Sequence, residues 1–275
     1  MPLIGFRAMS RKPSSMTTAF RLITYNVHSC IGTDRRHDPE RVAEVIAAAR
    51  PDIIALQELD VGRLRTKGVD QAQRIADHLK MTAHFHPAMH VEEEQYGDAI
   101  LTALPSRLRR AGSLPSIGEP RGAIWVEIAV AGRPVQVINT HLGLRGRERS
   151  LQAQALLGPD WMGHADCQAG PAILTGDFNA VTRSPAFRRL NRALPAAADP
   201  RTGRLAPTFP SRFPLMRLDH VFPNSGLTVT ACAPIANAQT RLASDHLPLL
   251  ATLDFAEAAD RQRDQANGTS QASAR

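Results

Sequence analysis

The residues of this chain able to do chemistry fall where apolar runs end. Asn26 closes the run beginning at Phe20, Glu58 follows Ile53 to Gln57, and His141 follows Val135 to Thr140. Asp177 and Asn179 come just after Ile173 and Leu174, Asp219 lies inside Leu218–Phe222, and Asp245 and His246 precede the last apolar run. Singly, each suits a turn, a cap or an edge position. Together, strand ends gathered at one rim of a sandwich would bring carboxylates, amides and imidazoles to one place. Oxygen donors without thiolates favour a hard cation, Mg²⁺ or Mn²⁺, over zinc. Such an ion takes one or two protein carboxylates and keeps waters, which leaves room for a phosphate oxygen. Imidazoles beside carboxylates bind phosphate or move protons near neutral pH. The set suits hydrolysis of a phosphate ester.

The elements that must hold these groups alternate between strand-like and helical periods. Strands are expected at Phe20–Val27, Asp52–Gln57, Ala99–Ala103, Gly122–Val130 and Pro134–Thr140, the last two joined as a hairpin through Ala131, Gly132 and Arg133. Further strands are expected at Ala172–Thr175, Leu218–Phe222, Leu227–Ala231 and Pro248–Leu253. On this reading Glu58 closes the second strand. Asp38 offers a helix N-cap with Pro39 at the first position, and Val42, Val45, Ile46 and Ala49 give the apolar stripe. Asp70–Leu79, Arg147–Leu157 and Pro185–Leu190 are the other helices. Two batches of strands with helices between them imply an α/β chain with two sheets packed face to face and helices outside. One domain over 18–255 is expected, with polar extensions over 1–17 and 256–275.

Composition narrows the partners. Lysine and arginine number 33 against 26 aspartates and glutamates, a net charge of +7. A basic surface favours anionic partners, whether nucleic acid, phospholipid head groups or soluble phosphates. Cys30, Cys167 and Cys232 form neither a CxxC zinc pattern nor a disulfide framework and read as buried or free thiols. No apolar run approaches the roughly 18 residues needed to span a bilayer. The expected location is the cytoplasm, including the periphery of a membrane.

The ordered series ITYNVHS, ALQELD, YGDAILT, INTHLG, TGDFNA, RLDHVF and SDHLP resembles the endonuclease/exonuclease/phosphatase superfamily, the DNase I-like group, over roughly residues 20–254. The resemblance implies a four-layer α/β/β/α sandwich of two mixed sheets. It implies that Glu58 is the main carboxylate for Mg²⁺ or Mn²⁺, with Asn26 beside it and Asp245 against the same cluster. By the same resemblance Asp177 and Asn179 hold the attacking water and the phosphate. His246 contacts the phosphate or takes the water's proton, oriented by Asp219, and His141 reaches the phosphate from the other side. Tyr96, Asp98 and Arg121 fall on the substrate side. DNase I-like members orient the equivalent of His141 with a carboxylate, so Asp98 either pairs with His141, raising its pKa, or is a turn residue after Gly97. Arg121 either grips a phosphate oxygen or is a solvated loop arginine. His220, Trp125 and Trp161 read as packed side chains.

HSCIGTDRRHDPERVAEVI and TFPSRFPLMRLDHVF resemble compact bacterial members and a domain attached to proteins of GPI-anchor lipid remodelling. A phosphodiester is the implied substrate, in a phospholipid head group or a nucleic acid. Two alternatives stay open: an abasic-site or non-specific DNA endonuclease, and a non-catalytic module that binds anionic lipid or nucleic acid on the same fold. Retention of both Glu58 and His246 speaks against the second.

Overall fold

The computed structural model describes residues 18–91 and 94–256, so the extensions expected at the two ends lie, Ala256 aside, outside the described residues. The first half runs β1 (Phe20–Asn26), α1 (Pro39–Ala49), β2 (Ile53–Val61), α2 (Gln71–Leu79), β3 (Thr82–Val91), β4 (Glu94–Thr102), β5 (Ser106–Leu114), β6 (Arg121–Val130) and β7 (Arg133–His141). The second runs α3 (Gly146–Leu156), α4 (Ala165–Ala169), β8 (Ala172–Asp177), α5 (Pro185–Ala193), β9 (Asp219–Pro223), β10 (Leu227–Pro234), α6 (Ala238–Ala243) and β11 (Leu249–Phe255).

Strand alternation decides the layering. In β1, Leu22 faces one way while Ile23 and Tyr25 face the other, because successive strand side chains point to opposite faces. Leu22, Ile53, Val137, Ile173 and Ala251 meet in a core between two sheets. Ile23, Tyr25, Ile54 and Leu56 pack outward on Val42, Val45 and Ile46 of α1 and Ile75 of α2. Ile138, Leu174 and Phe222 pack outward on Leu156 of α3 and Phe187 and Leu190 of α5. The result is the expected four-layer sandwich. One sheet has the order β10-β11-β1-β2-β4-β3 and the other β5-β6-β7-β8-β9, both mixed.

Local chemistry fixes the helices where expected. The Asp38 side chain accepts from Arg41 N ahead of Pro39, and Asp70 does the same for Gln73 N. The hairpin between β6 and β7 turns on Ala131 and Gly132, both at positive φ, while Arg133 already belongs to β7. β3, β5, α4 and α6 are additions to the expected elements. β3 and β5 each lie at one edge of a sheet, and β5 carries Arg107, Arg109 and Arg110. Charged residues on an edge discourage further pairing, and they also hide the apolar alternation. No helix among the described residues is long and apolar enough to cross a membrane.

Candidate active site

Strand register in the second sheet sets one row of functional groups. His141 pairs with Asp177 across β7 and β8, and Asp177 pairs with Asp219 across β8 and β9. Neighbouring strands lie under about 5 Å apart, so residues far apart in sequence become adjacent. Gly176 permits this approach: it sits at φ 141°, and a Cβ there would lie 1.9 Å from the Thr140 carbonyl oxygen. Beyond the strand, Asn179 adopts φ 48°, its backbone N–H donating to Asp177 Oδ1 at 2.8 Å and its side chain to the Leu142 carbonyl at 2.9 Å. Asn tolerates this left-handed turn better than most residues.

The first sheet brings Asn26 and Glu58, and here the expected end of β2 is corrected. The strand does not stop at Glu58 but continues to Val61, with a bulge between Leu56 and Leu59. Ile54 and Leu56 face the helices, and strict alternation would send residue 58 there too. Instead Glu58 adopts φ 61° and Leu59 takes the helix-facing place, freeing Glu58 toward the site. Buried amides hold the bulge. Asn139 of β7 donates to the Leu56 and Ala99 carbonyls at 2.8 and 2.9 Å, and Gln57 donates to Asn139 Oδ1 at 2.7 Å. Sequence reasoning passed over Asn139 and Gln57, although an amide inside an apolar strand demands partners.

Asn26 joins the two sheets, its amide donating to Glu58 Oε1 at 2.9 Å and to Asp177 Oδ2 at 3.0 Å. Ser244, also unremarked in the sequence, donates to the Asn26 carbonyl at 2.8 Å and accepts from His246 N at 3.2 Å. It pins the loop carrying Asp245 and His246 to the end of β1. Just after Asn26, His28, Ser29 and Cys30 all lie at positive φ, a left-handed turn that costs roughly 1–2 kcal/mol per residue.

Asp177 Oδ2 lies between two imidazoles, 3.5 Å from His141 Nε2 and 3.6 Å from His246 Nε2. Their surroundings differ. His246 Nδ1 is 2.9 Å from Asp219 Oδ2; burial works to lower its pKa, but Asp219 and then Asp177 outweigh that and push it up to about 10. His141 is driven down to about 3, first by burial and then by the Arg121 guanidinium. Arg121 donates to His141 Nδ1 at 2.8 Å, so the proton of the neutral ring sits on Nε2, which lies 3.0 Å from the Asn179 side-chain amide.

That contact corrects the Asp98–His141 alternative: the partner on His141 Nδ1 is Arg121, itself buried and 3.1 Å from Glu119. A basic neighbour lowers the histidine's pKa where a carboxylate would have raised it. Arg121 is therefore not a solvated loop arginine. Asp98 is buried, and burial raises its carboxyl to about 8 despite the opposing charge of Arg121. Tyr96 is buried beneath Arg63 and Arg65, whose guanidinium carbons lie 5.9 and 5.7 Å from its ring centre.

The donor set fits a hard cation. The Glu58 carboxyl is raised first by burial and further by Asp177 and Asp245, so three carboxylates crowd one point. Among the described residues neither lysine nor arginine pairs with any of them; their ion-pair partners are His28, His141 and His246. Asp177, Asp219 and His246 also offer ligand atoms within 4.8 Å of one another. In that trio Asp219 already engages His246 Nδ1 at 2.9 Å. The cleft at this rim encloses about 660 Å³ and is lined by Glu58, Tyr96, Arg121, His141, Asp177 and His246 among others. A cavity of about 770 Å³ elsewhere, lined by Leu157, Met162, Leu194 and Leu227, has no titratable side chain.

His220 is packed against Phe178, Phe187 and Phe222. Trp125 and Trp161 are buried, and all three cysteines are buried and free.

Comparison with known proteins agrees with this architecture. A sequence model of the Endonuclease/Exonuclease/phosphatase family matches residues 23–246. The uncharacterized protein YbhP of Escherichia coli (strain K12) is 26% identical over 248 residues, covering 86% of this chain and 96% of YbhP. The crystal structure of an endonuclease/exonuclease/phosphatase from Beutenbergia cavernae DSM 12333 superposes with TM-score 0.69 at 23% identity, covering 87% of this chain and 72% of that one. The human Nocturnin catalytic domain, with a bound sulfate anion, gives TM-score 0.67 at 23% identity, covering 88% of this chain and 96% of that one. At these identities the structural likenesses speak for the fold alone.

Proposed function

The chain belongs to the endonuclease/exonuclease/phosphatase family, and from that premise we propose that it is a phosphoesterase dependent on Mg²⁺ or Mn²⁺ that hydrolyses a phosphodiester with water. Members of the family are mostly phosphoester hydrolases. The observation that carries the reading is the meeting of Glu58, Asp177 and Asp245 beside two imidazoles of opposite proton affinity. Titratable groups pushed apart in this way mark acid–base sites.

In this reading Glu58 and Asp245, with Asn26 beside them, would hold the cation, which when bound would polarise the phosphate and offset its charge. Asp177 and Asn179 orient the attacking water. His141, kept neutral by burial and Arg121, donates from Nε2–H to a phosphate oxygen. His246 presents Nε2 to the reacting oxygens, while Asp219 holds Nδ1 and balances the ring's charge. Arg121, Asp98 and Tyr96 support the substrate side behind His141. The substrate is a phospholipid head group or a nucleic acid.

The test is release of nitrophenol from bis-p-nitrophenyl phosphate, with and without Mg²⁺. Metal-dependent turnover, lost in His246→Ala, is expected. A metal-replete protein inert toward this diester and toward plasmid DNA and phospholipid would refute the reading.

A further inference from the structure

The rim of the cleft mixes its charged groups with exposed apolar side chains. Ten large apolar side chains are exposed among the described residues, and three of them belong to this cleft. Leu144, Val181 and Met216 line the cleft itself. Phe213 and Leu215 tip the loop between Phe209 and Met216, which closes on itself through Leu215 N and Met216 N donating to the Phe209 carbonyl at 2.9 and 2.8 Å. They are 78% and 76% exposed. Leu64, 85% exposed, stands between Arg63 and Arg65, which line the adjoining pocket beside Glu58 and Tyr96.

Two bulky apolar side chains held at a loop tip have no core to fill. Contiguous exposed apolar surface marks an interaction site. The charges around it select the partner. Arg145 follows Leu144, Arg147 comes two residues later, Arg183 lies two residues after Val181, and Arg212 precedes Phe213, all four arginines exposed. Arg145, Arg147 and Arg183 hold no carboxylate among the described residues, and Arg212 donates only to the Thr33 carbonyl. Apolar tips with arginines at their bases match the cross-section of a lipid interface, acyl chains beneath anionic phosphates. A nucleic acid would match the arginines but would leave Leu64, Leu144 and Leu215 facing its phosphates.

We propose that this mouth docks on an anionic phospholipid bilayer, with Phe213 and Leu215 entering the interface and Arg145, Arg147, Arg183 and Arg212 meeting head-group phosphates. Resting on the phosphoesterase reading above, this makes the substrate a phosphodiester presented by a membrane surface.

The experiment is sedimentation of the full chain with vesicles of phosphatidylcholine alone or with phosphatidylglycerol. The wild type should partition onto anionic vesicles and far less onto neutral ones. Phe213→Ser with Leu215→Ser should weaken that partition by about tenfold or more, since interfacial binding scales with buried apolar area. Arg145→Gln with Arg147→Gln should weaken it by about fivefold per residue on anionic vesicles only. Thermal unfolding should show both variants folded, as these positions are exposed. A wild type that ignores anionic vesicles, or a Phe213/Leu215 variant that binds them unchanged, overturns the proposal. So does loss of duplex DNA affinity in these variants without loss of vesicle affinity. Because partition is read without turnover, an enzyme inert toward bis-p-nitrophenyl phosphate would sink the catalytic reading and leave docking separately decided.

Discussion

Asp219 Oδ2 lies 2.9 Å from His246 Nδ1, both groups buried, and this contact fixes which ring nitrogen faces Asp177. A carboxylate that serves only to aim and charge an imidazole has no separate share in the rate. His246→Ala should therefore cut turnover by about 10²–10⁴-fold, and Asp219→Asn by a similar factor. The double variant should be little worse than either, because groups acting as a unit are strongly non-additive. Losses that multiply in a double-mutant cycle would show two independent contacts.

Chelation tests the oxygen site. EDTA should abolish hydrolysis, and Mg²⁺ or Mn²⁺ should restore it. Glu58→Gln should shift the metal concentration for half-activity upward, since it removes a charge from a hard-cation site and keeps the shape. Full activity after exhaustive chelation would contradict the reading.

Asn139→Ala should destabilise the protein by about 2–6 kcal/mol, because two buried carbonyls lose a donor, each loss costing about 1–3 kcal/mol. Since Asn139 also braces the bulge that aims Glu58, the variant should need more metal for half-activity. Urea denaturation and metal titration read the two effects. A destabilised variant with an unchanged metal requirement would leave Asn139 a packing role only.

His220 is buried, and that burial, with Arg217 nearby, lowers its pKa to about 3 from an ordinary 6.5. Below about 6.5 the unfolded chain takes up a proton that the folded ring refuses, so its stabilising contribution, whole above 6.5, fades as pH falls toward 3. His220→Phe gives up the contact to the Ala180 carbonyl but escapes this penalty. Its unfolding free energy should gain on the wild type as pH drops from neutrality, by at most about 1.4 kcal/mol per pH unit. Parallel pH curves for the two proteins would disprove it.

The sequence displayed the site better than its scaffolding. Asn26, Asp177 and His141 were legible because each ends a strongly apolar strand, where a polar group needs a reason. The four layers were legible from the two batches of strands. The edge strands β3 and β5 were not, since Pro87 at a bulge and the arginines of β5 break the period that reveals a strand. α6 carried a readable capping box in Asn237 and Thr240 but is too short for an apolar stripe. The bulge at Glu58 and the Arg121–His141 contact depend on strands meeting across long sequence separations, which local patterning does not encode.

The chain path gives the site a further property. β5 to β9 form one sheet from a single uninterrupted stretch, Ser106–Pro223, while β1 to β4 before it and β10 to β11 after it form the other. The molecule is thus one sheet interrupted by a second. Asn26 and Glu58 come from the host, and His141, Asp177 and Asp219 from the insert. Neither part holds a complete set of functional groups, so chemistry exists only at their seam. If the proposed activity holds, a partly made or partly unfolded chain with either sheet intact would be chemically silent, and hydrolysis would report that the two halves have closed.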